Sequence, residues 1–224
     1  MATWLVTGAN RGIGLQFART LSARGARVIG TARLPERAGE LRATGARVET
    51  LDVGDDASVT ALARSLAGEA IDVLVLSAAI GEAGPPVDHL VAADVERTLN
   101  IDAVGAARVT TALMPNLRAG KRRTVVALSS GLGSIHRNSE GGWVAYRMAK
   151  AALNMYVRSA ASELAREKFV CVLIDPGWVK TDMGGPGAPL TPEESVEAML
   201  RSIERLGPSD SGRFIDRRGR DVPW

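Results

Sequence analysis

Cysteine is almost absent. Cys171, inside "FVCVLID", is the only one. Without a second thiol there is no intrachain disulfide, which fits a reducing compartment. Its place in an apolar run reads as a small buried hydrophobe on a strand rather than a reactive thiol. Aromatic residues make up only 4%, so the core must be built from Ala, Val, Leu and Ile. No apolar run reaches membrane-spanning length, and no membrane insertion is expected. The N-terminus, "MATWLVTGANRG", lacks the charged start and long apolar centre of a signal peptide. The expected location is therefore cytoplasmic. Charge imbalance is also small, with 28 Lys and Arg against 25 Asp and Glu. Arg217, Arg218 and Arg220 concentrate part of it near the C-terminus. There is no interleaving of basic and aromatic residues, so a nucleic-acid partner is excluded. No metal is expected.

What is present is a regular alternation of β-branched runs and helical patterns. Strands are expected at 3–8, 26–33, 47–53, 71–79, 123–130, 168–177 and 212–216. Helices are expected at 12–25, 36–44, 55–68, roughly 88–118, 142–167 and 191–207, with Asp55 or Asp56 capping the third and a Thr191–Glu194 capping box opening the last. "IDVLVLSAA" is apolar almost throughout, as in a sheet covered on both faces. No repeat, low-complexity tract or linker splits the 224 residues. The reading is one domain, an α/β fold of the Rossmann type: a doubly wound parallel sheet of about seven strands with helices on both faces. In such sheets ligands bind beyond the carboxyl ends of the strands. Gly8, Arg33, Asp52, Ser77, Ser130 and Pro176 all fall at such ends and should crowd one edge.

The first strand ends in "TGANRGIG". A glycine-rich turn between strand and helix lets backbone N–H groups and the helix dipole meet a pyrophosphate. The spacing is G-x-x-x-G-x-G, at Gly8, Gly12 and Gly14. The second strand ends without a carboxylate until Glu36. A bare ribose is usually met there by an acidic residue. Arg33, joined by Arg11 of the glycine turn, suits a 2′-phosphate instead. The cofactor expected is NADP(H) rather than NAD(H), with Asp52 at its adenine edge.

Further motifs follow in order: Asn100 in "LNIDAVG", Ser130 in "LSSGLGS", Tyr146 and Lys150 in "AYRMAK", and "DPGWVKTDMGG" at 175–185. With the glycine turn, they make the chain resemble a short-chain dehydrogenase/reductase. "GGWVAYRMAKAALN", "PGWVKTDMGG" and "GRFIDRRGRDVPW" are similar to the branch of C-factor-like proteins and sniffer-type carbonyl reductases. The resemblance implies that Tyr146 is the acid/base, Lys150 the nicotinamide-ribose ligand, Ser130 the donor to the substrate oxygen, and Asn100 the anchor of a proton-relay water. It implies cofactor contacts at Gly8, Asn10, Arg11, Gly12, Ile13, Gly14, Arg33, Asp52, Val53, Ser77, Ala78, Tyr146 and Lys150, and at Pro176, Gly177, Val179 and Thr181 around the carboxamide. Trp143 and Trp178 are expected as substrate walls beside Ser130 and Tyr146. The chain departs from the family at Leu76-Ser77-Ala78-Ala79, where Asn-Asn-Ala-Gly is usual. Ser130 also lies farther ahead of Tyr146 than is common, and the extra length falls in the polar loop "SIHRNSEGG".

The chemistry explains the residue types. Reducing a carbonyl puts a hydride on carbon and a proton on oxygen. A free tyrosine, with a pKa near ~10, is a poor acid/base at neutral pH. An ammonium about 5 Å away, at an effective dielectric of ~20, favours the phenolate by roughly 3 kcal/mol. The i,i+4 spacing puts both groups on one helical face. Ser130 would stabilise the developing alkoxide. The activity expected is hydride transfer between NADP(H) and a small carbonyl or secondary alcohol. The alternative is a cofactor-binding signalling or regulatory protein with incidental catalysis, because the C-factor group is associated with signalling. The segment "GGPGAPLTPEES" is read as a short lid over an open site, and Ala152, Met155, Ser159 and Ala160 as the seam of a homodimer or homotetramer.

Overall fold

In the computed structural model, which describes residues 2–224, three strands are buried at every position: β1 (Thr3–Val6), β4 (Val73–Leu76) and β5 (Thr124–Leu128). Burial of both faces requires a helical layer on each side. With β2 (Arg27–Ala32), β3 (Arg47–Thr50), β6 (Val170–Asp175) and β7 (Phe214–Asp216), they form one sheet in the order β3-β2-β1-β4-β5-β6-β7. Every pairing is parallel. The strand order reverses between β1 and β4, which opens a crevice at their carboxyl ends.

One face of the sheet carries α1 (Gly12–Ala23), α2 (Gly39–Ala43) and α8 (Pro192–Arg205), packed over Val6, Val75, Val126 and Ile174. The other carries α3 (Asp56–Ser65), α5 (Gly105–Ala112) and α7 (Val144–Glu163), over Leu5, Leu74, Val125 and Leu173. Side chains alternate between the two cores along each strand. Asp55 caps α3, accepting from the Ala57 and Ser58 N–H groups, and the Thr191–Glu194 capping box opens α8. Cys171 is 1% exposed, inside the second of these cores.

Strands three to five end earlier than the apolar runs suggest. Residues 51–53 and 77–79 leave the ladder and line the crevice instead. The expected helix at 88–118 is broken into α4 (Ala92–Leu99), one π-helical turn (Asn100–Val104), α5 and α6 (Met114–Ala119). α7 begins at Val144 rather than 142, because Gly141 and Gly142 have φ of 66° and 65°, incompatible with a right-handed helix. Among the described residues no helix is long and apolar enough to cross a membrane.

Candidate active site

The glycine turn closes on itself so tightly that side chains are excluded. A Cβ on Gly14 would lie 2.4 Å from the Gly8 carbonyl oxygen. One on Gly8, whose φ is 62°, would lie 2.9 Å from the Ala78 Cα. The turn is held from both neighbouring strands. Ala9 N donates to Thr31 O at 2.8 Å, and Gly8 N to the Thr31 hydroxyl at 3.3 Å. Across the crevice, Ser77 N and Ala78 N both donate to Thr7 Oγ1, at 2.9 and 3.0 Å. The departure at 76–79 is thus absorbed by backbone bonds to Thr7, without a side-chain amide.

A cleft of about 300 Å³ runs from this turn to the Tyr146–Lys150 pair. It is lined by Gly8, Asn10, Arg11, Gly12, Ile13, Gly14, Arg33, Asp52, Val53, Ser77, Ala78, Tyr146, Lys150, Pro176 and Thr181. These fifteen residues were all expected from the sequence. The arginines differ in their freedom. The Arg11 guanidinium is engaged by Asp182 at 3.0 Å, on the surface. Arg33 forms no ion pair among the described residues, and neither does Arg37, which also lines the cleft. Arg37 was not anticipated, because it follows the strand by one turn of 3-10 helix (Pro35–Arg37) that brings it back to the rim.

At the inner end, Tyr146 is 9% exposed and Lys150 2%. The Lys150 ammonium lies 5.3 Å from the Tyr146 ring centre. It donates to Leu128 O at 3.1 Å. A buried ammonium without a counterion would cost several kcal/mol. Here the counterion is Asp102, whose Oδ2 is 3.1 Å from Nζ. Burial pushes the Lys150 amine down, but Asp102 and Tyr146 outweigh it and hold the amine above its ordinary value. Burial raises the Tyr146 phenol, Lys150 lowers it, and Asp102 raises it again. The outcome is a phenol above its usual value, so the acidification expected from Lys150 alone is offset.

Two serines end β5, and their surroundings separate them. Ser129 is buried and donates to Asn154 Oδ1 at 2.6 Å. Ser130 is half-buried, accepts from Leu132 N at 3.1 Å, and its hydrogen bonding favours the Tyr146 phenolate. The turn after it packs directly on α7: a Cβ on Gly133 would lie 2.8 Å from the Lys150 Cβ. The longer loop that follows is gathered in by Arg147, which donates to the carbonyls of Leu132, Gly141 and Gly142. Trp143, held at φ 52°, then meets Tyr146 edge-on with ring centres 6.0 Å apart.

Four expected residues are elsewhere. Asn100 is turned away from the pair: its amide donates to Gly54 O at 3.2 Å and accepts from Arg108 at 3.1 Å. The π turn inserts an extra residue per turn, which rotates the following side chains relative to an α-helix. It is Asp102 that faces Lys150. Gly177 and Val179 do not line the cleft, because this segment pairs with Leu190 through Val179. Trp178 does not line the cleft either. It is 60% exposed, and its indole N–H donates to Gly184 O at 2.7 Å. Conversely, Gly81 and Met183 close over Tyr146: a Cβ on Gly81 would lie 2.9 Å from the Tyr146 Cδ2 and 3.2 Å from the Met183 sulfur. The site is therefore more enclosed than the short lid suggests. No sequence signal marks Gly81, whereas Asp102 sits within the quoted "LNIDAVG".

A parallel seven-stranded sheet, a glycine cradle at the strand reversal and a buried tyrosine–lysine pair define a nucleotide-dependent oxidoreductase fold. The family model for short chain dehydrogenases matches residues 2–188, and the chain belongs to that family. It is 49% identical over 154 residues to C-signal of Myxococcus xanthus, covering 69% of this chain and 93% of that protein. It is 32% identical to 1-hydroxy-2-glutathionyl-2-methyl-3-butene dehydrogenase of Rhodococcus sp., over the whole of both chains. Among solved structures it is similar to carbonyl reductase Sniffer of D. melanogaster, with a TM-score of 0.95, 28% identity and full coverage of both chains. It is also similar to an NADPH-bound carbonyl reductase from chicken fatty liver, with a TM-score of 0.94, 32% identity and coverage of 100% and 99%.

Proposed function

We propose that the chain is an NADP(H)-dependent oxidoreductase that interconverts carbonyl compounds and secondary alcohols. The observation that carries this reading is the buried Tyr146–Lys150 pair at the inner end of a cleft that begins in a glycine cradle. The cradle fits a pyrophosphate, because the space a Cβ would fill at Gly8 and Gly14 is already taken by backbone. The uncommitted guanidiniums of Arg33 and Arg37 fit a 2′-phosphate. Similarity to an NADPH-bound carbonyl reductase supports the same cofactor. When bound, the nicotinamide supplies or accepts the hydride. Tyr146 gives its proton to the carbonyl oxygen or takes it back from the alcohol. Ser130 donates to that oxygen, and Lys150 holds the local positive charge. Trp143, Gly81 and Met183 exclude water from the phenol.

The likeness to C-signal favours a second reading, a cofactor-binding regulator in which turnover is incidental. Fluorescence titration with NADPH and NADH, followed by an aldehyde and ketone panel, separates the two. Turnover with NADPH supports the first. Tight NADPH binding without turnover on any substrate supports the second. The exposed Met148 and Met155 of α7 support a homodimer or homotetramer, which sedimentation would test.

A further inference from the structure

Among the described residues, Lys150 and Asp102 are the only charged side chains on a small cavity behind the active site, which Leu76, Ile101, Ala106 and Leu153 help to line. Asp102 is 2% exposed. Its two oxygens do different things. Oδ1 accepts from Ile80 N at 2.8 Å and so ties down the loop that carries Gly81 to the Tyr146 ring. Oδ2 lies 3.1 Å from Lys150 Nζ but has no donor in line with it. The Lys150 hydrogen bond goes to Leu128 O instead. The Oδ2 contact is therefore one of charge rather than of direction.

We propose that Asp102 is a positioning residue for Tyr146. Its buried carboxylate offsets the positive charge that Lys150 presents, so that Tyr146 rests as a phenol ready to protonate a carbonyl oxygen. This deepens the reading of Tyr146 as acid/base and rests on it. A lysine alone beside a tyrosine favours the phenolate, which suits alcohol oxidation at neutral pH. A lysine already paired with a carboxylate does so less, which biases the resting site towards reduction. The groups that bear on Tyr146 are Lys150 from α7, Asp102 from the π turn, Asp175 from the end of β6, and the Ser130 hydroxyl. Burial holds the Asp102 carboxyl above its ordinary value, opposed by the Lys150 charge and by the Ile80 N–H. Asp175 is shared by the variants below and cancels from the comparison.

The chain has two tyrosines, so Tyr156→Phe leaves Tyr146 as the only phenol. Its ionisation can then be read in the free protein by phenolate ultraviolet absorbance, without turnover. In this background the midpoint is expected at or above the free-tyrosine value of about 10. Adding Asp102→Asn, which keeps an oxygen for Ile80 N, should lower it by about one unit or more. Asp102→Ser serves the same purpose if the asparagine variant does not fold. A background midpoint well below 10, or one that neither variant moves, overturns the proposal. Where alcohol oxidation is measurable, the limb on which its rate rises with pH should move to lower pH in Asp102→Asn by the same amount. Failure of all turnover would defeat the enzymatic reading while leaving the titration to decide the role of Asp102.

Discussion

Lys150 holds its ammonium 5.3 Å from the centre of the Tyr146 ring, and the two residues are one turn apart on α7. The lysine is anchored to Leu128 O and Asp102, not to Tyr146. Removing the phenolic oxygen therefore disturbs none of its anchors. Tyr146→Phe is expected to lower kcat by about 10²–10⁴-fold, the usual contribution of a positioned general acid. NADPH affinity should stay near that of the parent. Loss of cofactor binding in a fluorescence titration would contradict the acid/base role.

Gly81 leaves no room for a methyl group above the tyrosine, since a Cβ there would meet the ring at 2.9 Å. Gly81→Ala should displace the phenol or the loop after β4. A misplacement of about 1 Å costs of order 10²-fold in rate. The expected result is a loss in kcat with little change in NADPH affinity, measured by steady-state kinetics beside cofactor titration. An unchanged kcat would mean that the ring can move freely.

The three arginines at the outer end of the cleft are distinguishable by their partners. Arg11 already pairs with Asp182, whereas Arg33 and Arg37 are uncommitted. A charge-assisted hydrogen bond contributes about 1.5–3 kcal/mol. Arg33→Ala and Arg37→Ala should each weaken NADPH binding by roughly 10–100-fold and leave NADH binding unchanged. Arg11→Ala should have a smaller effect. Equal losses for both cofactors would show that these side chains do not read a 2′-phosphate.

Burial pushes the Cys171 thiol up to about 12 from an ordinary value of 9.0. Between these values the unfolded thiol loses its proton and the folded one keeps it. The unfolded state then binds fewer protons, so stability falls as pH rises through this window and is fully present below it. Tyr146 and Tyr156, both raised chiefly by burial, act in the same direction. Urea unfolding from pH ~9 towards ~12 should show a decline of a few kcal/mol, with Cys171→Ala giving a shallower slope. At neutral pH the folded thiol should not react with Ellman's reagent, and reaction before unfolding would contradict this.

Much of this protein was decided locally. Alternating apolar runs and helical patterns determine seven strands and their parallel order, because a strand apolar on both faces has to be covered by helices on both. Gly8, Gly12 and Gly14 mark the cradle, since a backbone packed against backbone tolerates no Cβ. Tyr146 and Lys150 come together by helical spacing alone. What only the tertiary structure decided are the contacts made across elements. A π turn, invisible in the residue pattern, turns Asn100 outward to Gly54 and brings Asp102 onto Lys150. A 3-10 turn returns Arg37 to the rim, and a surface ion pair takes Arg11 away from it. The sequence places a tyrosine beside a lysine. Whether that tyrosine meets a net positive charge depends on a carboxylate from another helix, and on burial that no local pattern records.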